Sequence, residues 1–257
     1  MTILRFQGKR VLVTGAGHGI GLAVSRAFVG KGARVAVNDI NPARVATVVE
    51  KLGRQCCGFS GDVADTEEAR SVVSLADAEL GGLDIVVSNA GIFPSHAFLE
   101  MDISDWDRVM AVNIRGTFLI CQAAARLMVE QKNAGVIVTI SSGSARFARV
   151  GSAHYCASKA AVVMLTRVMA LELAHYRIRV NSVSPGIVDV PGGQPLSDTY
   201  KAAMTRMVPW GRMGSPEDVA SVVLLASDPA AEYMTGQVIP VDGGLSAGRY
   251  GIPVADE

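Results

Sequence analysis

Val11-Leu12-Val13-Thr14-Gly15-Ala16-Gly17-His18-Gly19-Ile20-Gly21 decides the fold. A short β-branched run ends in a glycine-rich turn, and residues 22–29 then place apolar side chains at helical spacing until Gly30 and Gly32 stop them. This is strand, turn, helix. Glycines let the turn tighten and a ligand approach the backbone, while the following helix aims N–H groups and its positive dipole end at the turn, as a pyrophosphate requires. The glycines fit G-x-x-x-G-x-G through Gly15, Gly19 and Gly21. They do not fit G-x-G-x-x-G, because Leu22 falls where that pattern needs its last glycine. Gly15, Gly17, His18, Gly19, Ile20 and Gly21 are candidate cofactor contacts. The alternative is a βα turn that binds nothing.

Outward from this unit, apolar runs recur at 35–37, 85–87, 136–138, 180–183 and 238–239, with a less marked run at 56–59. Segments of helical character, such as 106–129 and 153–174, separate most of them. Apolar strands alternating with helices predict an α/β fold: one doubly wound parallel sheet of about seven strands, helices on both faces, right-handed crossovers. No linker divides residues 1–257, so a single domain is expected. Ligands of such sheets sit beyond the carboxyl ends of the strands. There the sequence places residues 14–21, Asp39, Asp62, Asn89-Ala90-Gly91, Ser141-Ser142 and Pro185-Gly186.

Lys plus Arg and Asp plus Glu both total 24, and the pI is near 6.9. That balance supplies no field for nucleic acid or an anionic membrane, so neither is an expected partner. The start lacks the apolar core of a signal peptide, no run is long enough to span a bilayer, and a cytoplasmic protein is expected. The 4 cysteines show no C-x-x-C spacing and no histidine cluster accompanies them, so they read as reduced packing residues and no metal site is expected.

Tyr155 and Lys159 stand four apart in a helical segment, on one face and one turn apart. A free tyrosine, with a pKa near ~10, is a poor base at neutral pH, but a nearby ammonium stabilises phenolate and lowers that value. Chance also puts Tyr and Lys at this spacing on surface helices. Asp39, at the end of the second strand, can accept hydrogen bonds from adenosine ribose hydroxyls and would repel a 2′-phosphate. The absence of Lys or Arg directly after it argues for NAD over NADP, although Arg44 is close; alternatively Asp39 merely helps to cap the helix that begins near Pro42.

Taken in order, these motifs resemble the short-chain dehydrogenase/reductase family, a Rossmann-type fold, over residues 9–244. The resemblance implies Asp62 and Val63 beside the adenine, Asn89, Ala90 and Gly91 supporting sheet and cofactor, and Asn113, Ser142, Tyr155 and Lys159 as a catalytic tetrad. In that set Ser142 donates to the substrate oxygen, Tyr155 exchanges a proton with it, Lys159 also binds the nicotinamide ribose, and Asn113 holds a water that links Lys159 to solvent. Pro185 and Gly186 resemble the nicotinamide-side turn, and residues 241–244 the family's C-terminal strand end. Two departures stand out: Ser88 replaces a frequent Asn, and Val190 replaces a frequent Thr, leaving the carboxamide contact to backbone such as Val188.

The resulting expectation is an NAD-dependent oxidoreductase acting on a small secondary alcohol or its carbonyl, a sugar or polyol favoured. A 3-oxoacyl-thioester reductase and a non-catalytic nucleotide-binding protein are the alternatives. Ser95, His96, Ser144, His154 and Trp210 are candidate substrate residues, with solvated rim histidines as the other reading of His96 and His154. The breaker-rich stretch 190–213 suits a substrate lid. Apolar residues beyond one helix face, as in 160–165, predict a homo-oligomer, a tetramer by family resemblance, whose tail 245–257 either reaches a neighbouring subunit or frays.

Overall fold

The computed structural model describes residues 6–190 and 197–250. Its strands are β1 Arg10–Val13, β2 Arg34–Asp39, β3 Cys56–Ser60, β4 Ile85–Ser88, β5 Val136–Ile140, β6 Arg179–Pro185 and β7 Val238–Val241. All pair in parallel, in the order β3-β2-β1-β4-β5-β6-β7. Every run read as a strand, including 56–59, lies in this sheet.

The helices are α1 Gly19–Val29, α2 Pro42–Leu52, α3 Thr66–Leu80, α4 Ile103–Met110, α5 Thr117–Glu130, α6 Ala153–Leu173, α7 Asp198–Met207 and α8 Pro216–Ser227. Successive strand residues face opposite ways, and the sequence supplies apolar groups to both sides. Val11 and Val13 pack with Val24 and Phe28 of α1 and Val219 and Val223 of α8. Leu12 packs on the other face with Val72 and Val73 of α3, Ile120 and Ala124 of α5 and Ala170 of α6. Each fully buried Val, Leu or Ile contributes about 1.5–3 kcal/mol, so these two layers are the main hold on the sheet.

Local chemistry sets where helices begin. Asn41 caps α2 by accepting from Ala43 and Arg44 N–H ahead of Pro42, and Ser215 with Asp218 forms a capping box on α8. Asn41 is the cap of α2, and Asp39 supports it, its Oδ1 accepting the Asn41 N–H at 3.0 Å. By contrast, α1 has no side-chain cap and no acidic residue in its first turn.

The segment of helical character over 106–129 is helical throughout but changes pitch inside. Between α4 and α5, residues Ala111–Gly116 form a π-turn that holds Asn113, and Thr117 Oγ1 bonds back to the Asn113 carbonyl at 2.8 Å. Periodicity alone does not reveal a single-turn π-bulge, which inserts one residue without changing the hydrophobic character of the segment.

Candidate active site

The strand order reverses between β1 and β4, so the turn after β1 and the segment after β4 meet at one crevice. Thr14 joins them. Its Oγ1 accepts from Asn89 N–H at 3.1 Å and Ala90 N–H at 3.2 Å, and Asn89 Nδ2 donates to the carbonyls of Thr14 at 2.9 Å and Gly15 at 3.0 Å. Gly15 has φ +61°, and a Cβ there would meet Ala90 Cα at 2.7 Å. A Cβ on Gly21 would collide with the Gly15 carbonyl and stand 2.6 Å from Asn89 Nδ2. Two chain segments thus pass too closely for any side chain, in front of a helix whose first N–H groups carry no side-chain cap. His18 occupies the cap position, exposed and making no capping bond. Such a cradle fits the pyrophosphate of a dinucleotide.

Asp39 is buried beside it. Its Oδ2 accepts from Gly17 N–H at 3.0 Å and its Oδ1 from Asn41 N–H at 3.0 Å. Arg44 packs on the same turn, with its Cβ 2.9 Å from where a Gly17 Cβ would lie. Asp62 Oδ1 accepts from Ala64 N–H, and Val63 is buried against Gly116 of the π-turn. On the far side, Gly186 N–H bonds the Val241 carbonyl, Val188 bridges to Gly214, and Val190 Cγ1 stands 3.0 Å from a Cβ position on Gly19, the neighbour of Ile20 in the first turn of α1. Pro185, the last residue of β6, completes this wall.

Asn113, Ser142, Tyr155 and Lys159 converge at the crevice from the π-turn, the end of β5 and α6. Lys159 is buried and donates to the Ile140 carbonyl at 2.9 Å. A Cβ on Gly91 would be 3.3 Å from Asn113 Oδ1 and 3.4 Å from Lys159 Nζ, which puts the amide and the ammonium side by side. Asn113 Oδ1 accepts from Ile92 N–H at 2.8 Å, while Nδ2 donates to the Ile92 carbonyl at 2.9 Å and to Ser158 Oγ at 3.1 Å. Its side chain is thus tied to the Ile92 main chain and to α6. Ser158, which in turn donates to the Tyr155 carbonyl at 2.8 Å, was missed from sequence. The signal available was a hydroxyl three residues after Tyr155 in the quoted pair.

Burial raises the Tyr155 pKa; a hydrogen bond with Ser142 and the charge of Arg149 oppose it. The Lys159 ammonium lies 5.8 Å from the phenol ring centre and gives one of its three N–H groups to Ile140, and its own burial brings its pKa down to about 8.

The substrate candidates divide. Ser95 Oγ packs against Gly151, His96 N–H bonds the Gly151 carbonyl at 3.0 Å, and Ser144 N–H bonds Ser142 Oγ at 3.1 Å, all around the loop that leads into α6. Phe93 meets the Tyr155 ring edge-on at 6.1 Å. Trp210 is 74% exposed, and its main-chain N–H donates to the Gly243 carbonyl just past the end of β7. His154 is 0% exposed and is neither a rim residue nor a wall. Burial also lowers its pKa. In the expected lid, residues 191–196 fall outside the described residues, while α7 is linked to the catalytic loop by Arg149 to Tyr200 Oη at 3.2 Å. Of the expected tail, residues 251–257 likewise fall outside; its start turns on Asp242, whose carboxylate accepts from Gly244 and Ser246 N–H.

Comparison with known proteins agrees with this geometry. The family model described as enoyl-(acyl carrier protein) reductase matches residues 15–246. An L-rhamnose 1-dehydrogenase (NAD(P)(+)) from Sphingomonas sp. is 42% identical over 93% of this chain and 96% of its own. A (3R)-3-hydroxyacyl-CoA dehydrogenase from Mus musculus is 39% identical over 94% and 98%. The crystal structure of a short-chain type dehydrogenase/reductase from Mycobacterium marinum superposes with a TM-score of 0.91 at 40% identity, covering 96% of this chain and 98% of that one. With sheet order, glycine cradle and matched length in agreement, this chain belongs to the short-chain dehydrogenase/reductase family, oxidoreductases of alcohol and carbonyl groups that bind a nicotinamide dinucleotide.

Proposed function

We propose that this enzyme is an NAD-dependent dehydrogenase interconverting a secondary alcohol of a sugar or polyol with its carbonyl. The meeting of the Tyr155 phenol and Ser142, with buried Lys159 beneath them, carries the reading. The nicotinamide supplies or accepts the hydride. Ser142 holds the substrate oxygen, and Tyr155 takes its proton in oxidation or returns one in reduction. Lys159 fixes the floor of the site through Ile140 and offers its remaining N–H groups to the ribose. Residues 14–21, Asp62, Val63, 89–91 and the wall from Pro185 to Val188 hold the rest of the dinucleotide.

Asp39 supports NAD over NADP, since its carboxylate lies beside the turn where a 2′-phosphate would bring like charge. Asp39→Ala, with Arg44 left in place, is expected to lower the ratio of kcat/KM for NAD over NADP by about tenfold or more, roughly 1.4 kcal/mol of discrimination. A wild type that uses both equally removes Asp39 from ribose recognition.

Ser95 and His96 beside the catalytic loop, and the rhamnose dehydrogenase relative, favour a polyhydroxylated substrate. The second reading is a 3-oxoacyl thioester. Phe93, Phe98, Leu99 and Val150 are exposed on or near the same loops, and the mouse relative acts on a hydroxyacyl-CoA. Following NADH at 340 nm across aldoses, alditols, ketoses and 3-hydroxybutyryl-CoA decides between them. Turnover of the thioester alone overturns the sugar reading.

Among the described residues no helix is long and apolar enough to cross a membrane, which supports a cytoplasmic enzyme. Exposed Met164, Val168 and Leu171 line one stripe of α6, with Phe118 exposed on α5, and support a homotetramer. Sedimentation at micromolar concentration is expected to give about four times the 26.9 kDa chain mass, and a monomer refutes it.

A further inference from the structure

His154 stands directly before Tyr155 in the first turn of α6, sealed from solvent. Its Nδ1 accepts the Tyr155 main-chain N–H at 2.8 Å. That N–H is one of the helix's unpaired first donors, and Ser152 at the cap position offers no side-chain bond. An imidazole nitrogen accepts only while it carries no proton, so this bond assigns a neutral ring with its hydrogen on Nε2. Nε2 is buried and has no partner among the described residues. An unpaired buried donor costs about 1–3 kcal/mol, a cost that an apolar side chain would avoid. What an apolar side chain cannot do is hold the Tyr155 backbone.

The groups around His154 come from three further segments. From the loop after β4, the His96 ring lies 6.2 Å away at 83°. From α4, Asp105 Oδ2 lies 3.5 Å from His96 Nε2. From the loop before α6 comes Arg149, whose charge acts on the Tyr155 phenol. On α6 itself the titratable neighbour is Tyr155.

We propose that His154 is a positioning residue for Tyr155: its neutral Nδ1 fixes the first turn of α6, and with it the phenol, while His96 and Asp105 set the pH at which that hold is lost. This rests on Tyr155 being the acid/base. Burial and then the charge of His96 keep the His154 pKa below its ordinary 6.5, with Asp105 opposing. Protonation at Nδ1 turns the acceptor into a second donor facing the Tyr155 N–H, and the bond breaks. Between about pH 5 and 8 the Tyr155 phenol keeps its proton, since its pKa is raised, so its ionisation puts no acid limb on carbonyl reduction.

The test is the pH dependence of kcat for carbonyl reduction over that range, with erythrulose as probe, or acetoacetyl-CoA where the thioester is the faster substrate. The wild-type rate is expected to fall toward pH 5. His154→Asn puts an oxygen acceptor where Nδ1 stands and does not titrate; it is expected to keep kcat within about threefold at pH 7.5 and to lose the acid limb. His154→Leu removes the acceptor and is expected to lower kcat about tenfold with little change in KM. His96→Asn removes a repelling charge and moves the limb to higher pH. A wild type flat to pH 5, an unchanged limb in His154→Asn, or a His154→Leu with wild-type kcat overturns the proposal. If the leucine variant does not fold, the asparagine comparison decides, together with an imidazole ¹⁵N spectrum, in which a protonated Nδ1 at pH 7 is equally fatal. Tyr155→Phe in the same assay separates the two assignments. Full activity there removes Tyr155 itself, whereas an inactive variant beside an unchanged limb in His154→Asn removes only the hold.

Discussion

Tyr155→Phe is expected to lower kcat by about 10²- to 10⁴-fold in both directions, the range lost when a positioned general acid or base is removed. Dinucleotide affinity should stay within about twofold, because the ring and its edge-on contact with Phe93 remain. Stopped-flow absorbance at 340 nm reads the first quantity and quenching of protein fluorescence the second. Wild-type oxidation should quicken with pH without levelling off below the ordinary tyrosine value near ~10, since burial raises the phenol's pKa and oxidation needs phenolate. The variant's residual rate should lose that slope. Retention of most of the turnover number would end the catalytic assignment.

Lys159→Met is expected to destroy activity and yet stabilise the fold. The ammonium is buried, has no carboxylate partner among the described residues and bonds a single carbonyl there, that of Ile140. Its pKa falls from 10.5 to about 8, which corresponds to roughly 3 kcal/mol of desolvation cost at pH 7. Losing the Ile140 bond returns about 1 kcal/mol, so the net gain is about 2 kcal/mol, or ~4–8 °C in Tm. The sign depends on pH. The unfolded lysine holds its proton up to 10.5 and the folded one only to about 8, so the unfolded chain binds more protons between these values and wild-type stability rises with pH there. The advantage of Lys159→Met should therefore be full below pH 8 and shrink toward pH 10. Thermal unfolding at pH 7 and pH 9.5 measures it, and a variant less stable than wild type at pH 7 would show that the charge is solvated.

The sheet was legible because buried parallel strands leave uninterrupted β-branched runs and the glycine turn between β1 and α1 has few other uses. The strand-end residues followed from topology alone. Three features were not legible, each for a physical reason. The π-turn around Asn113 leaves no trace in hydrophobic spacing. The anchoring of Lys159 needs the tertiary fold: the carbonyl it meets is that of Ile140, at the end of β5, and helix spacing says nothing of it. His154, read as a polar residue near the substrate, is sealed inside, where its Nδ1 accepts the Tyr155 N–H at the start of α6, and spacing along a helix does not show which polar residue the neighbouring loops cover.

The π-turn at Ala111–Gly116 also sets a phase between two helices. Each α-helical residue advances the azimuth by roughly 100°, so an unbroken helix through this region would bind the facing of α4 to that of α5 like teeth on one shaft. The extra residue is a slipped tooth. It lets α5 keep Ile120 and Ala124 on the sheet while α4 presents Asp105 toward His96, and it leaves Asn113 between the two phases. Removing one residue from the turn would not simply shorten the chain: it would re-time α4 against the sheet and swing the Asn113 side chain away from Ile92.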